Sequence, residues 1–60
     1  MVLTKLTEHM GLFTPETLAA KSKGEFSNMT VRRALKGRGI DILKAKSIAR
    51  CLGKKVEDLR

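Results

Sequence analysis

Apolar residues recur at intervals of three and four along the chain, a spacing that is typical of amphipathic α-helices. The first stripe consists of Leu3, Leu6 and Met10. It predicts a helix over residues 2–10, with Gly11 at its end. Four further segments carry stripes of the same kind, and no segment shows a persuasive strand pattern. The pattern therefore predicts an all-α fold of five short helices in a single domain, residues 1–60.

Capping residues divide the rest of the chain into the other four helices. Small polar residues precede three of the apolar stripes, and glycines follow them, as expected of N-caps and helix ends. Pro15, directly after the first of these caps, is favourable at the first position of a helix. The predicted N-caps of helices two, three and four are Thr14, Ser27 and Asp41, and the predicted stops are Gly24, Gly37 and Gly53. The segment "KKVEDLR" adds a fifth turn of helix.

The same stripes predict which side chains form the core. With only two phenylalanines in the chain, the core must consist mainly of aliphatic residues, alanine and methionine. Beyond the first stripe, the predicted core positions are Leu18, Ala19, Val31, Ala34, Leu35, Ala45, Ile48, Ala49, Leu52, Val56 and Leu59.

Size and composition exclude several classes of protein. A chain of 60 residues hides only about 60% of its surface on folding, which leaves little room for a buried active site. It contains no nucleophile with a base, no paired carboxylates, no metal-ligand set and no phosphate-binding glycine loop, so we expect no enzyme and no cofactor. One cysteine, Cys51, allows no internal disulfide, and no segment is typical of a signal peptide or a membrane span. We therefore expect a cytoplasmic location and no contact with a membrane.

Positive charge is concentrated in the middle of the chain. The net charge is +7, and residues 21–40 alone contribute +5, whereas residues 1–20 contribute −1. The stretch "VRRALKGR" has four positive charges in eight residues and no acid. A solvated surface with mixed charges does not explain this stretch, and the asymmetry indicates a polyanionic partner.

The predicted third helix combines an apolar back with a basic front. At 100° per residue, Val31, Ala34 and Leu35 lie on one side, and Met29, Arg33 and Lys36 lie on the other. Such a helix fits the major groove of B-DNA, where each base pair presents a distinct set of donors and acceptors. An asparagine amide such as that of Asn28 pairs with adenine, arginine pairs with guanine or phosphate, and methionine can pack on a thymine methyl group.

An ordered set of motifs resembles the helix-turn-helix of the phage repressor and Cro family, also called the xenobiotic response element family. The set is "TPETLAAKS…FSNMTVRRALKG…IDILKAKSIARCLGKKVEDL", which covers roughly residues 14–59. The resemblance implies that helices two and three form a helix-turn-helix. One departure is the turn Ser22–Ser27, "SKGEFS", which is longer than the family's turn and supplies Phe26 as its apolar residue.

The same resemblance implies the roles of individual side chains on double-stranded DNA. The expected base-contacting residues are Asn28, Met29, Arg32 and Arg33. The expected phosphate-contacting residues are Thr14, Lys23, Ser27, Thr30, Lys36 and Arg38. Lys44 and Lys46, near the start of the fourth helix, are expected to be solvated, with an extension of the phosphate contacts as the alternative. His9 has no second ligand nearby and is not expected to bind a metal.

The function that follows is sequence-specific binding of double-stranded DNA by a transcriptional regulator. We expect a Cro-like phage or prophage repressor that occludes an operator with inverted half-sites. We expect a weak homodimer, strengthened on DNA, with any self-contact near helices four and five through residues such as Val56 and Leu59. The alternatives are an antitoxin-like autoregulator and a protein-interaction module on the same scaffold. An RNA-binding module is disfavoured because the chain lacks exposed stacking aromatics.

Overall fold

Five α-helices make up the regular structure of the protein. The computed structural model describes all 60 residues and contains no strand, which confirms the predicted all-α fold. None of its helices combines the length and the apolar character that crossing a bilayer requires. The helices are α1 (Leu6–His9), α2 (Pro15–Lys21), α3 (Asn28–Leu35), α4 (Ile42–Cys51) and α5 (Val56–Leu59).

A single cluster of eleven buried apolar side chains forms the core. Ten of its members are positions that the sequence pattern predicts to be buried, and the eleventh, Phe26, is the apolar residue expected in the turn. Four other predicted positions are only partly buried and pack against the edge of the cluster. The cluster consists of Leu3, Leu6, Met10, Leu18, Phe26, Val31, Ala34, Ala45, Ile48, Ala49 and Leu59, and the four partly buried positions are Ala19, Leu35, Leu52 and Val56.

The first helix is shorter than predicted. Instead of spanning residues 2–10, α1 comprises only four residues, Leu6–His9. The preceding backbone forms long-range hydrogen bonds instead: Met1 and Ile40 exchange two, at 2.8 and 2.9 Å, and the Lys5 N–H donates to the Leu59 carbonyl at 2.8 Å. These bonds join the start of the chain to the segment before α4 and to α5.

Both predicted caps on α2 and α3 are present. The Thr17 N–H donates to the Thr14 hydroxyl oxygen at 3.2 Å, and the Thr14 N–H donates to the Thr17 hydroxyl oxygen at 2.8 Å. At α3, the Ser27 hydroxyl oxygen accepts the Thr30 N–H at 3.4 Å. Asp41 occupies the N-cap position of α4, but its side chain makes no capping hydrogen bond. The expectation that Asp41 caps α4 is therefore correct for its position and wrong for its side chain.

The turn between α2 and α3 is anchored in the core at both ends. α2 ends at Lys21, three residues before the predicted stop at Gly24. Ser22 is buried, and its hydroxyl donates to the Ala19 carbonyl at 2.6 Å, while Phe26 is only 4% exposed. Lys23, at the exposed part of the turn, has a φ of 57°, which is uncommon outside glycine. The exposed part of the turn therefore lies between two buried residues, Ser22 and Phe26.

The end of α3 is fixed by its C-terminal glycine. Gly37 has a φ of 80°, in the left-handed region that only glycine adopts without strain. Its N–H donates to the Ala34 carbonyl at 3.1 Å, and the Arg38 N–H donates to the Arg33 carbonyl at 3.0 Å. These two bonds satisfy carbonyls that have no partner within the helix. They also place Arg38 directly beside the last turn of α3.

Candidate nucleic-acid interface

A basic groove runs along the exposed side of α3. Met29 is 56% exposed there, while Val31 and Ala34 on the opposite side are buried. The groove, called here the α3 groove, is lined by four cationic side chains and a methionine and contains no acid. Its lining residues are Met29, Arg32, Arg33, Lys36 and Arg38. The structure thus brings together three of the predicted base-contacting residues and two of the predicted phosphate-contacting residues.

A second groove lies where α3 meets the start of α4. Arg33 lines both grooves, and Thr30, another predicted phosphate-contacting residue, lines this one together with Lys44. The remaining lining comes from Gly39, Ile40 and Asp41. Lys44 is partly buried in this groove, and Lys46 is exposed. The short connection between Gly37 and Asp41 was the one signal in the sequence that the start of α4 must lie close to α3.

Glu16 of α2 contacts two of the predicted base-contacting residues. Arg32 Nη2 donates a hydrogen bond to Glu16 Oε2 within an ion pair, and Asn28 Nδ2 donates to the same oxygen at 3.5 Å. The Arg32 and Glu16 side chains are each about half exposed. Residue periodicity on α3 alone gave no indication of this contact, because it depends on how α2 crosses α3.

The contact changes the acidity of Glu16. The hydrogen bond from Arg32 is the largest cause that lowers the pKa of the Glu16 carboxyl below its ordinary value. A backbone hydrogen bond, the positive charge of Arg32 and the hydrogen bond from Asn28 act in the same direction, and desolvation opposes them. Glu16 is therefore ionised at neutral pH and remains so into the acid range.

The other predicted phosphate-contacting residues lie outside both grooves. The hydroxyl oxygens of Thr14 and Ser27 are engaged in the caps of α2 and α3. Lys23 is exposed in the turn, close to Glu25, which forms an ion pair with Arg50 of α4 at 3.6 Å. Thr14 and Ser27 therefore lie at the starts of α2 and α3, and Lys23 lies just after the end of α2, so none of the three lines the α3 groove.

The groove with the largest volume, about 500 Å³, is mainly apolar and shares no residue with the two basic grooves. Leu12 is fully exposed at its edge. His9 lies here beside apolar side chains, and the protein contains no cluster of His, Cys, Asp or Glu suited to a metal ion. Its lining residues are His9, Met10, Gly11, Leu12, Phe13, Thr17 and Leu52.

Comparison of the chain with protein-family models, with curated proteins and with solved structures found no match. The functional assignment therefore depends on the charge and geometry of the α3 groove and on the resemblance of the sequence motifs.

Proposed function

We propose that this protein is a sequence-specific regulator that binds double-stranded DNA with α3 in the major groove. In this proposal α2, the turn Ser22–Ser27 and α3 act as a helix-turn-helix of the repressor and Cro type. The observation that carries the proposal is the α3 groove, in which four cations and no acid line the exposed side of a helix whose other side is in the core. Phosphates attract such a surface irrespective of sequence, and base edges supply selectivity.

Individual roles follow from position along α3. Asn28 and Met29 are in its first turn, the part of a recognition helix that meets base edges. Arg33 lines both grooves, so its guanidinium reaches either a guanine or a phosphate. Lys36 and Arg38 at the end of the α3 groove, together with Lys44 at the second groove, are placed to neutralise phosphates on either side.

Recognition of a single operator in a genome requires two copies of the protein. A helix of eight residues reads only a few base pairs, too few to single out one site in a genome. Two-fold pairing on inverted half-sites, with centres about 10 base pairs apart, doubles the site that is read. Leu59 has no exposed surface and cannot form the expected self-contact, although Val56 remains partly exposed. We therefore propose pairing that is weak in solution and is strengthened when DNA holds two copies together. A bound pair represses transcription by covering a promoter.

Selection of bound duplexes from a random pool tests the proposal, followed by affinity measurements on Arg33→Ala. We expect the selected sites to contain inverted repeats. Arg33→Ala should lose preference at one or two positions of each half-site, at a cost of about 1–3 kcal/mol. Arg50→Ala is the matched control, because Arg50 is an exposed arginine of α4 that lines neither groove. Selection that enriches no sequence would contradict sequence-specific binding and would favour the protein-interaction alternative.

A further inference from the structure

Glu16 is the one acidic side chain that forms an ion pair or hydrogen bonds with side chains of α3. The protein contains two ion pairs, and only the Glu16–Arg32 pair involves a residue of the α3 groove. Both Arg32 and Asn28 donate to the same carboxylate oxygen, Oε2. A negative charge placed at the edge of a surface that meets phosphates opposes binding, so its presence there needs a functional account.

Glu16 fixes the orientation of both donors. A carboxylate only accepts hydrogen bonds, so Asn28 must present its amide nitrogen to Glu16, and one N–H of that nitrogen stays free. Arg32 uses one of its five N–H donors on Glu16, and the others remain available for a base edge. Both side chains can therefore contact bases without breaking their bonds to Glu16.

Contact with a phosphate is different for Arg32. The free N–H groups of Arg32 can also reach a phosphate, but the Glu16 carboxylate already balances the positive charge of Arg32. Arg32 therefore neutralises a phosphate fully only when the Glu16–Arg32 ion pair opens. Binding to arbitrary DNA depends almost entirely on phosphate neutralisation, whereas operator binding also uses base edges. The cost of opening the Glu16–Arg32 ion pair therefore lowers the affinity for non-operator DNA more than the affinity for the operator.

We propose that Glu16 is a specificity-determining residue of the DNA-binding face, which retains Arg32 and Asn28 for base contacts and withholds Arg32 from phosphates. This inference rests on the proposed function. Glu16 thereby lowers the affinity for non-operator DNA and leaves the affinity for the operator nearly unchanged.

The test compares Glu16→Gln with the parent on two duplexes, a selected operator and a scrambled sequence of the same length and composition. Glu16→Gln should bind the scrambled duplex about two- to fivefold more tightly, the range expected for releasing an exposed ion pair. Its salt dependence on that duplex should steepen by about 0.9 in log–log slope, because Arg32 then neutralises one more phosphate. Affinity for the operator should change less, so the ratio of operator to scrambled affinity should fall two- to fivefold.

Glu8→Gln is the matched control, because it makes the same charge change at an exposed position of α1, outside the helix-turn-helix and both basic grooves. It should leave the affinity ratio unchanged, and Glu16→Gln should have no effect on the salt slope when Arg32 is already Ala. A parent protein that binds neither duplex overturns the proposed function. A parent that prefers its operator, with Glu16→Gln indistinguishable from Glu8→Gln, overturns the inference alone.

Discussion

The hydrogen bonds and ion pair of Glu16 make the stability of the fold depend on pH. This dependence comes from the carboxyl group of Glu16. Its pKa is lowered mainly by the hydrogen bond from Arg32, so the ionised form is more favourable in the folded than in the unfolded chain. Stability from this source is complete above the unfolded-state pKa and is lost as the pH falls through the folded-state pKa. Because both partners are exposed, the contribution is small, and it is best detected by titration of the residue itself.

Removing Arg32 should therefore raise the pKa of Glu16. In Arg32→Ala the largest cause of the lowered value is absent, and the Glu16 carboxyl should titrate closer to its ordinary range. Arg33→Ala is the control, because Arg33 does not contact Glu16. Carboxyl chemical shifts followed by NMR against pH give both values. A Glu16 pKa that is equal in the parent and in Arg32→Ala would show that the ion pair is absent in solution.

Exposure on α3 could be predicted from the sequence, but the partner of Arg32 could not. The outward position of Met29, Arg33 and Lys36 follows from helical periodicity, because the apolar residues of α3 leave only one side for them. Glu16 and Arg32 are 16 positions apart on different helices. Their contact depends on the angle between α2 and α3, which no local pattern determines.

At the scale of the helix, the end of α3 depends on one glycine. Gly37→Ala should destabilise the protein by about 1–2 kcal/mol, because alanine is strained at a positive φ. A Cβ at position 37 meets no atom within 4 Å, so the cost comes from the backbone alone. Chemical denaturation followed by circular dichroism measures it.

Gly39→Ala is the matched control for Gly37→Ala. Gly39 has no positive φ, and its Cβ would lie 3.9 Å from the Met1 backbone, an ordinary contact. This variant should be neutral or stabilised by about 0.4–1 kcal/mol, because alanine lowers the entropy of the unfolded chain. Equal destabilisation of both variants would mean that the left-handed conformation at Gly37 does not terminate α3.

The sequence predicted the caps of α2 and α3 and the end of α3 better than it predicted the length of α1. Thr14, Ser27 and Gly37 act through neighbours within five residues, so their roles are visible in the sequence. α1 is short because Met1 and Lys5 pair with residues 39 and 54 positions away. Such long-range bonds replace the local bonds of a helix, and only the folded chain reveals them.

At the scale of the whole molecule, stability depends on a small core. Leu6→Ala should cost about 2–5 kcal/mol, because Leu6 is fully buried. That is a large part of the stability of a domain of this size, so the variant should be partly unfolded. Leu12→Ala makes the same change at a fully exposed position and should alter stability by less than about 0.5 kcal/mol. Similar urea midpoints for the two variants would contradict the arrangement of the core.

The net charge of +7 also acts at the scale of the whole molecule, through the proposed attraction between the protein and DNA phosphates. The most direct test is the salt dependence of affinity for a selected duplex, measured for the parent, Lys36→Ala and the control Lys54→Ala. Lys36 lines the α3 groove, and Lys54 is exposed outside both basic grooves.

The log of the binding constant should fall with log salt by about 0.9 per phosphate neutralised. Lys36→Ala should make that slope shallower by about one unit and weaken all sequences alike, while Lys54→Ala should keep the parent slope. A parent slope near zero would contradict binding of DNA by the α3 groove.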